Sequence, residues 1–319
     1  MINLIWQTYN GNETTDHFEY VTKVIFKDVE FVNHFDNREY KTILSNSVII
    51  YSCIGSEISN GMRTYLQKYK DLNVKYILLH LSNENLNHNY DYYYGAEHVF
   101  RPYYDPTIKY PNVTTLPLGF VSGYMNSGET INLSDKRDIL VTFIGQVKSD
   151  RQILVDSISD INNKFLHLTT QWNCPTALTP KNVIDIYKRT LFIPCPMGWI
   201  NPDSLRIFEA LEWGCIPIIK KYNGVDYFEN IFGKHPLPVV NEWTELKQVM
   251  NKLNNQNTDS LILLINDWYK KFMNSVSENI SNIINKKLLP INKKLTILVT
   301  YRNREENLGV FIPYFKSFM

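Results

Sequence analysis

From residue 139 onward, short apolar runs alternate with amphipathic stretches, and this rhythm constrains the fold more than any other feature. ILVTFIG (139–145), KFLHLTT (164–170), LFIPCP (191–196), CIPIIK (215–220) and PLPVV (236–240) read as strands. SDRQILVDSIS (149–159), TPKNVIDIYKRT (179–190), PDSLRIFEALEWG (202–214) and EWTELKQVMNKL (242–253) read as helices. Runs apolar on both faces and linked by helices specify a parallel sheet covered on both sides. Ser149 is the expected N-cap of the first helix; Thr179 caps the second, with Pro180 at its first position. An amphipathic region, 258–288, closes this domain.

An earlier series has the same character. Strands are expected at 47–53, 75–82, 97–104 and 113–120, with a helix at 61–72. The polar segment VSGYMNSGETINLSDKRD (121–138) has two glycines and no apolar period, so it reads as the linker. The expected architecture is α/β: two Rossmann-like domains, 1–125 and 138–290, facing each other across a cleft. KKLTILVTYRNREENLGVFIPYFKSFM (293–319) reads as a fresh strand, charged turn and helix. It is either the first unit of a further domain or an addition docked on the second.

Composition excludes several classes. Hydrophobic residues make up 44% of the chain, enough for real cores. The net charge of +1 leaves no basic excess for a nucleic-acid partner, though it allows a local pocket for one small anion. Cys53, Cys174, Cys195 and Cys215 form no zinc pattern and fit buried thiols in a reducing compartment. The N-terminal residues do not form a signal peptide, and no apolar run is long enough for a membrane span. As given, the chain reads as cytoplasmic. The Asn-x-Ser/Thr sequons at Asn12, Asn112, Asn132 and Asn279 follow from heavy asparagine use.

The chemistry concentrates in PCPMGWINPDSLRIFEALEWGCIPII (194–219). Strand 191–196 delivers the chain to the carboxyl end of the sheet, where open α/β folds bind ligands. Gly198 in the following loop allows close backbone approach. The next helix opens with Asp203, Ser204 and Arg206. Free N–H groups and the helix dipole attract anions there. Ser204 offers a hydroxyl donor, and Arg206 a charged fork suited to a diphosphate. Glu209 lies on about the same helix face as Arg206. It can bridge to Arg206 structurally, or accept hydrogen bonds from two vicinal ribose hydroxyls. The glycine-bearing loop and the GCIPII strand favour the nucleotide role.

This segment resembles the signature of exostosin-like glycosyltransferases, through Pro196, Gly198, Ser204, Arg206, Glu209, Ala210, Gly214, Cys215, Ile216 and Pro217. The entry strand and helix are similar too, through Phe143, Gly145 and Arg151. So is the end of the first domain, through Arg101, Tyr103, Pro117 and Gly119. The resemblance covers roughly residues 75 to 240. It implies a GT-B architecture whose second domain binds a UDP-sugar as co-substrate. It further implies no other cofactor, inversion at the anomeric carbon and no essential metal. Relatives in that family are often Golgi or ER proteins. One departure is Ile216, where many GT-B enzymes carry a second Glu. Residues 293–319 resemble the start of a β-1,4-galactosyltransferase-type domain, through Tyr301, Arg302, Asn303, Arg304 and Glu305. That implies a longer polypeptide with a second transferase domain.

The donor site is therefore expected from Gly145, Lys148, Arg151, Gly198, Trp199, Asp203, Ser204, Arg206 and Glu209. Solvated positions are the alternative for Lys148 and Arg151. Glu84 is the first candidate base for an acceptor hydroxyl, ahead of Asp105 and His80, and Arg206 stabilises the leaving group. Tyr92, Tyr93, Tyr94, Trp172 and Trp199 are candidate sugar-stacking groups, with core packing the ordinary alternative. Lys220 and Lys221 can close over the nucleotide. The expected function is transfer of a sugar from a UDP-sugar to a glycan acceptor. The alternative is a non-catalytic nucleotide- or carbohydrate-binding module serving a tandem transferase.

Overall fold

Ser47, Val48, Ile49, Ile50 and Tyr51 are all buried, as are Tyr76 to His80. A strand buried on both faces must lie inside a sheet covered by helices on both sides. The computed structural model describes residues 1–8, 10–52, 58–87, 89–171 and 174–289 and shows two such sheets.

The first sheet contains β1 (Ile2–Gln7), β2 (Phe31–Phe35), β3 (Ser47–Tyr51), β4 (Tyr76–His80), β5 (His98–Arg101) and β6 (Val113–Thr115). Their order is β2-β1-β3-β4-β5-β6, and every pairing is parallel. Helix α1 (Asn10–Tyr20) runs into a π-helical turn, Val21–Ile25. Helix α2 (Asn60–Asp71) starts where the Ser59 side chain accepts from the Met62 N–H. It buries Met62, Tyr65, Leu66 and Tyr69, the i, i+3, i+4, i+7 stripe of an amphipathic helix. Strands β1 and β2 were not foreseen. Asn3 breaks the apolar run of β1, and β2 is only half-buried, so neither gives a strong period.

The second sheet has the order β11-β10-β9-β7-β8, again all parallel. Its strands are β7 (Ile139–Gln146), β8 (Lys164–Thr169), β9 (Thr190–Pro194), β10 (Ile216–Lys220) and β11 (Val239–Val240). The helices are α3 (Arg151–Ser157), α4 (Pro180–Tyr187), α5 (Leu205–Glu212), α6 (Glu229–Phe232), α7 (Leu246–Asn254) and α8 (Thr258–Lys287). Thr179 caps α4 as expected, accepting from the Asn182 N–H. Ser149 does not cap α3: its φ is +52°, and Asp150 takes the N-cap position. The Asp150 carboxylate instead pairs with Lys220 at 2.8 Å and accepts from Trp243 Nε1.

The polar 121–138 segment is pinned along its length. Ser122 bonds back to Asp16 and Glu19, and the Asn126 N–H donates to Glu212. Helix α8 buries Ile262, Ile265, Tyr269, Met273, Ser277, Ile280 and Ile284, one stripe along 30 residues. Its later turns pack on the first sheet's side: Ser277 Oγ donates to Asp28, and Lys27 bonds Asn274. Sequence reasoning assigned these turns to the second domain alone; they join the two. No described helix is long and apolar enough to cross a membrane. The expected further unit at 293–319 lies outside the described residues, as do Cys53 and Trp172.

Candidate active site

In the second sheet the strand order reverses between β7 and β9. Loops leaving two such strands diverge, which opens a crevice at their carboxyl ends. Gly145 and Gln146 lie at the end of β7, and residues 195–201 follow β9. Arg206, on the first turn of α5, reaches this point. Its Nη2 donates to the Ile144 carbonyl at 2.8 Å, and the guanidinium lies 5.0 Å from the Phe143 ring centroid. Gly145 has φ +142°, and a β-carbon there would stand 2.8 Å from Arg206 Nη2. Arg206 Nη1 is buried with no hydrogen-bond partner among the described residues.

The loop after β9 is held from several sides. Arg151 is buried, not solvated. It donates to the carbonyls of Gln146 at 3.0 Å, Met197 at 2.5 Å and Gly198 at 3.1 Å. Burial, then the nearby Arg206 charge, lowers its pKa to about 10. Arg151 therefore supports the loop through its backbone. The Met197 N–H donates to the Tyr222 hydroxyl. Trp199 is 62% exposed and carries the Lys148 ammonium 3.7 Å from its ring centroid. Burial, then Arg151, also lowers the Lys148 pKa.

Glu84 reaches this loop from beyond β4. Its Oε1 accepts from the backbone N–H groups of Trp199, Ile200 (2.9 Å) and Asn201 (3.4 Å). A β-carbon on Gly198 would lie 2.6 Å from that oxygen, so glycine is needed for the close approach. Beside this contact runs a groove of about 310 Å³ between the two sheets' loops. Glu84, Tyr104, Asn201, Tyr222 and Tyr227 contribute to its walls.

Asp203 and Ser204 precede α5 rather than forming its first turn, and both are buried. Asp203 Oδ1 accepts from the Ser204 N–H, while Oδ2 has no partner among the described residues. Burial pushes the Asp203 pKa up to about 7. Glu209 is likewise pushed up to about 7 by burial, with Arg206 opposing. Glu209 and Arg206 feel each other's charge but form no ion pair, so the structural bridge weighed for them is not made. The Glu209 carboxylate has no hydrogen-bond partner among the described residues.

Other expected residues lie elsewhere. His80 is buried among tyrosines, with Nδ1 2.6 Å from the Tyr93 hydroxyl and Nε2 3.1 Å from Ser82 Oγ. Asp105 is occupied by Thr107 and the Tyr90 hydroxyl. Tyr92 and Tyr93 are core residues, and Tyr94 packs edge-on against Tyr110. Lys220 is held by Asp150 and Glu242 beneath the sheet end, which removes it from any lid.

Sequence reasoning missed Arg137. This buried side chain donates to the carbonyls of Asn132, Tyr187, Thr190, Trp213 and Gly214. It thereby satisfies orphan carbonyls near the ends of α4 and α5. Its place in a polar segment gave no signal, because its partners are scattered along the chain. Among the described residues, no group of three or more His, Cys, Asp or Glu side chains is placed to hold a metal ion.

Two all-parallel α/β sheets with facing loop ends are the architecture of the GT-B glycosyltransferase fold. A solved α1,3-fucosyltransferase shares it with a TM-score of 0.51 over 89% of this chain and 90% of that one; at 12% identity the likeness concerns the fold alone. The chain belongs to the RXYLT1 C-terminal domain family, whose model matches residues 124–289, just over half its length. Human ribitol-5-phosphate xylosyltransferase 1 is 27% identical over 224 residues, which cover 62% of this chain and 50% of that protein. The mouse protein of the same name is 25% identical over 225 residues, 61% of this chain and 49% of its own length. The match thus spans about half of these relatives. The exostosin-like likeness of residues 196–217 stands as a resemblance beside this family assignment.

Proposed function

We propose that the chain transfers a pentosyl group, xylosyl by its likeness to the named relatives, from a UDP-sugar to a hydroxyl of a ribitol-phosphate-bearing glycan. The carrying observation is the grouping of Arg206, Lys148 and the 197–201 loop at the β7/β9 switch point, inside the segment that defines the family. Arg206 with its unpartnered Nη1, Lys148 and the loop N–H groups neutralise the charge growing on the departing diphosphate. Supplied by side chains and backbone, that stabilisation requires no divalent metal, and attack from the opposite face inverts the anomeric carbon. Glu209, with no hydrogen-bond partner among the described residues, accepts from the ribose hydroxyls. Ser204 and Asp203 line the same turn. Glu84, on the groove wall, is the candidate base for the acceptor hydroxyl. Residues 293–319 open a further transferase domain in this reading.

The experiment is transfer from labelled UDP-xylose, UDP-glucose and UDP-galactose to a ribitol-phosphate acceptor, with and without EDTA. Turnover of UDP-xylose that survives EDTA is expected. Turnover restored only by manganese would end the metal-independent reading. A second reading, a non-catalytic module that binds UDP, is favoured by the engagement of Glu84 with loop amides. UDP binding without turnover of any of the three donors would select it.

A further inference from the structure

Three successive backbone N–H groups converging on one point form an anion-binding nest. Those of Trp199, Ile200 and Asn201 converge on a single oxygen, and that oxygen belongs to a carboxylate from the other sheet's loops. The surroundings suit a larger negative charge. Lys148 sits over Trp199, and both Lys148 and Arg151 are close enough for the Glu84 charge to raise their pKa values. Burial, then a neighbouring arginine in each case, still lowers both. Asp203 nearby is raised by burial first, with the Glu84 charge adding to it. A carboxylate carried by the first sheet's loops thus fills an amide nest beside the Lys148 ammonium.

We propose that Glu84 is an internal anion that competes with the donor's diphosphate for the 199–201 amides. This rests on the donor site proposed above and adds the competitor and its coupling to the candidate base. A diphosphate oxygen bound to the three N–H groups displaces Glu84 Oε1. The displaced carboxylate remains on the wall of the groove between the sheets. Donor binding and release of the candidate base are then one event. A nucleotide bound to the second sheet is sensed by a residue carried on the first.

The test is calorimetric titration of UDP, and separately of inorganic pyrophosphate, into wild type, Glu84→Ala and Glu84→Gln. Removing the competitor should tighten both ligands about tenfold in Glu84→Ala, with Glu84→Gln between it and wild type, since an amide keeps one acceptor but no charge. Affinities unchanged or weakened in both variants, with melting temperatures near wild type, overturn the proposal and leave the donor site standing. Failure of all three proteins to bind UDP overturns the donor site and the proposal together. If Glu84→Ala does not fold, Glu84→Gln alone decides: tighter binding supports competition, and equal or weaker binding refutes it.

Discussion

Arg206 Nη2 and Gly145 approach so closely that a β-carbon on residue 145 would stand 2.8 Å from the nitrogen. The glycine at the end of β7 is the space through which the α5 arginine reaches the Ile144 carbonyl. Alanine there meets both the arginine and an unfavourable φ of +142°. Gly145→Ala should cost about 1–3 kcal/mol of stability. It should also weaken UDP at 25 °C, because Arg206 is displaced. Chemical denaturation and calorimetry on the same preparation check both effects.

Arg206→Ala should weaken UDP by about 1.5–3 kcal/mol, the scale of a charged hydrogen bond. Arg206→Lys should recover only part of this, since an ammonium cannot hold the Ile144 carbonyl and present a second nitrogen in one plane. Equal affinity of wild type and Arg206→Ala would remove Arg206 from the diphosphate site.

Burial raises Asp203 from 3.8 to about 7 and Glu209 from 4.5 to about 7. Between those values the folded protein holds more protons than the unfolded chain, so these groups make stability fall as pH rises. Their penalty is absent below the unfolded values and complete above pH about 7. The double variant Asp203→Asn, Glu209→Gln should therefore gain melting temperature relative to wild type as pH increases from 4 to 8. A constant difference across that range would contradict the assignment.

Glu209→Gln has a second expected consequence. Wild type should prefer UDP to an analogue lacking the 2′ and 3′ hydroxyls, and the variant should lose about 1–2 kcal/mol of that preference. Calorimetry with both ligands separates this from a general loss of binding.

Arg137→Met should be the most destabilising of these changes, because five carbonyls lose a guanidinium donor and only that of Tyr187 keeps a thiol donor, Cys215, among the side-chain bonds of the described residues. A loss of at least ~3 kcal/mol is expected. Denaturant unfolding of the variant measures it. Wild-type stability would show that water replaces the guanidinium at no cost.

The sequence alone determined the alternating α/β build, because strands buried on both faces read as unbroken apolar runs and α2, α4 and α8 carry clear stripes. It also located the loop before α5, because Gly198, Ser204, Arg206 and Glu209 combine backbone freedom, charge and helix-face spacing in one short stretch. Tertiary structure decided which groups share a partner. Arg151 turned to loop carbonyls, Lys220 to Asp150, and His80 into a tyrosine cluster. Glu84 crossed to the opposite loop's amides, 115 residues away in the chain. Local patterns encode burial and backbone conformation. They do not encode where a long polar side chain ends, which depends on strands brought together by the order β11-β10-β9-β7-β8 and on a second sheet facing it.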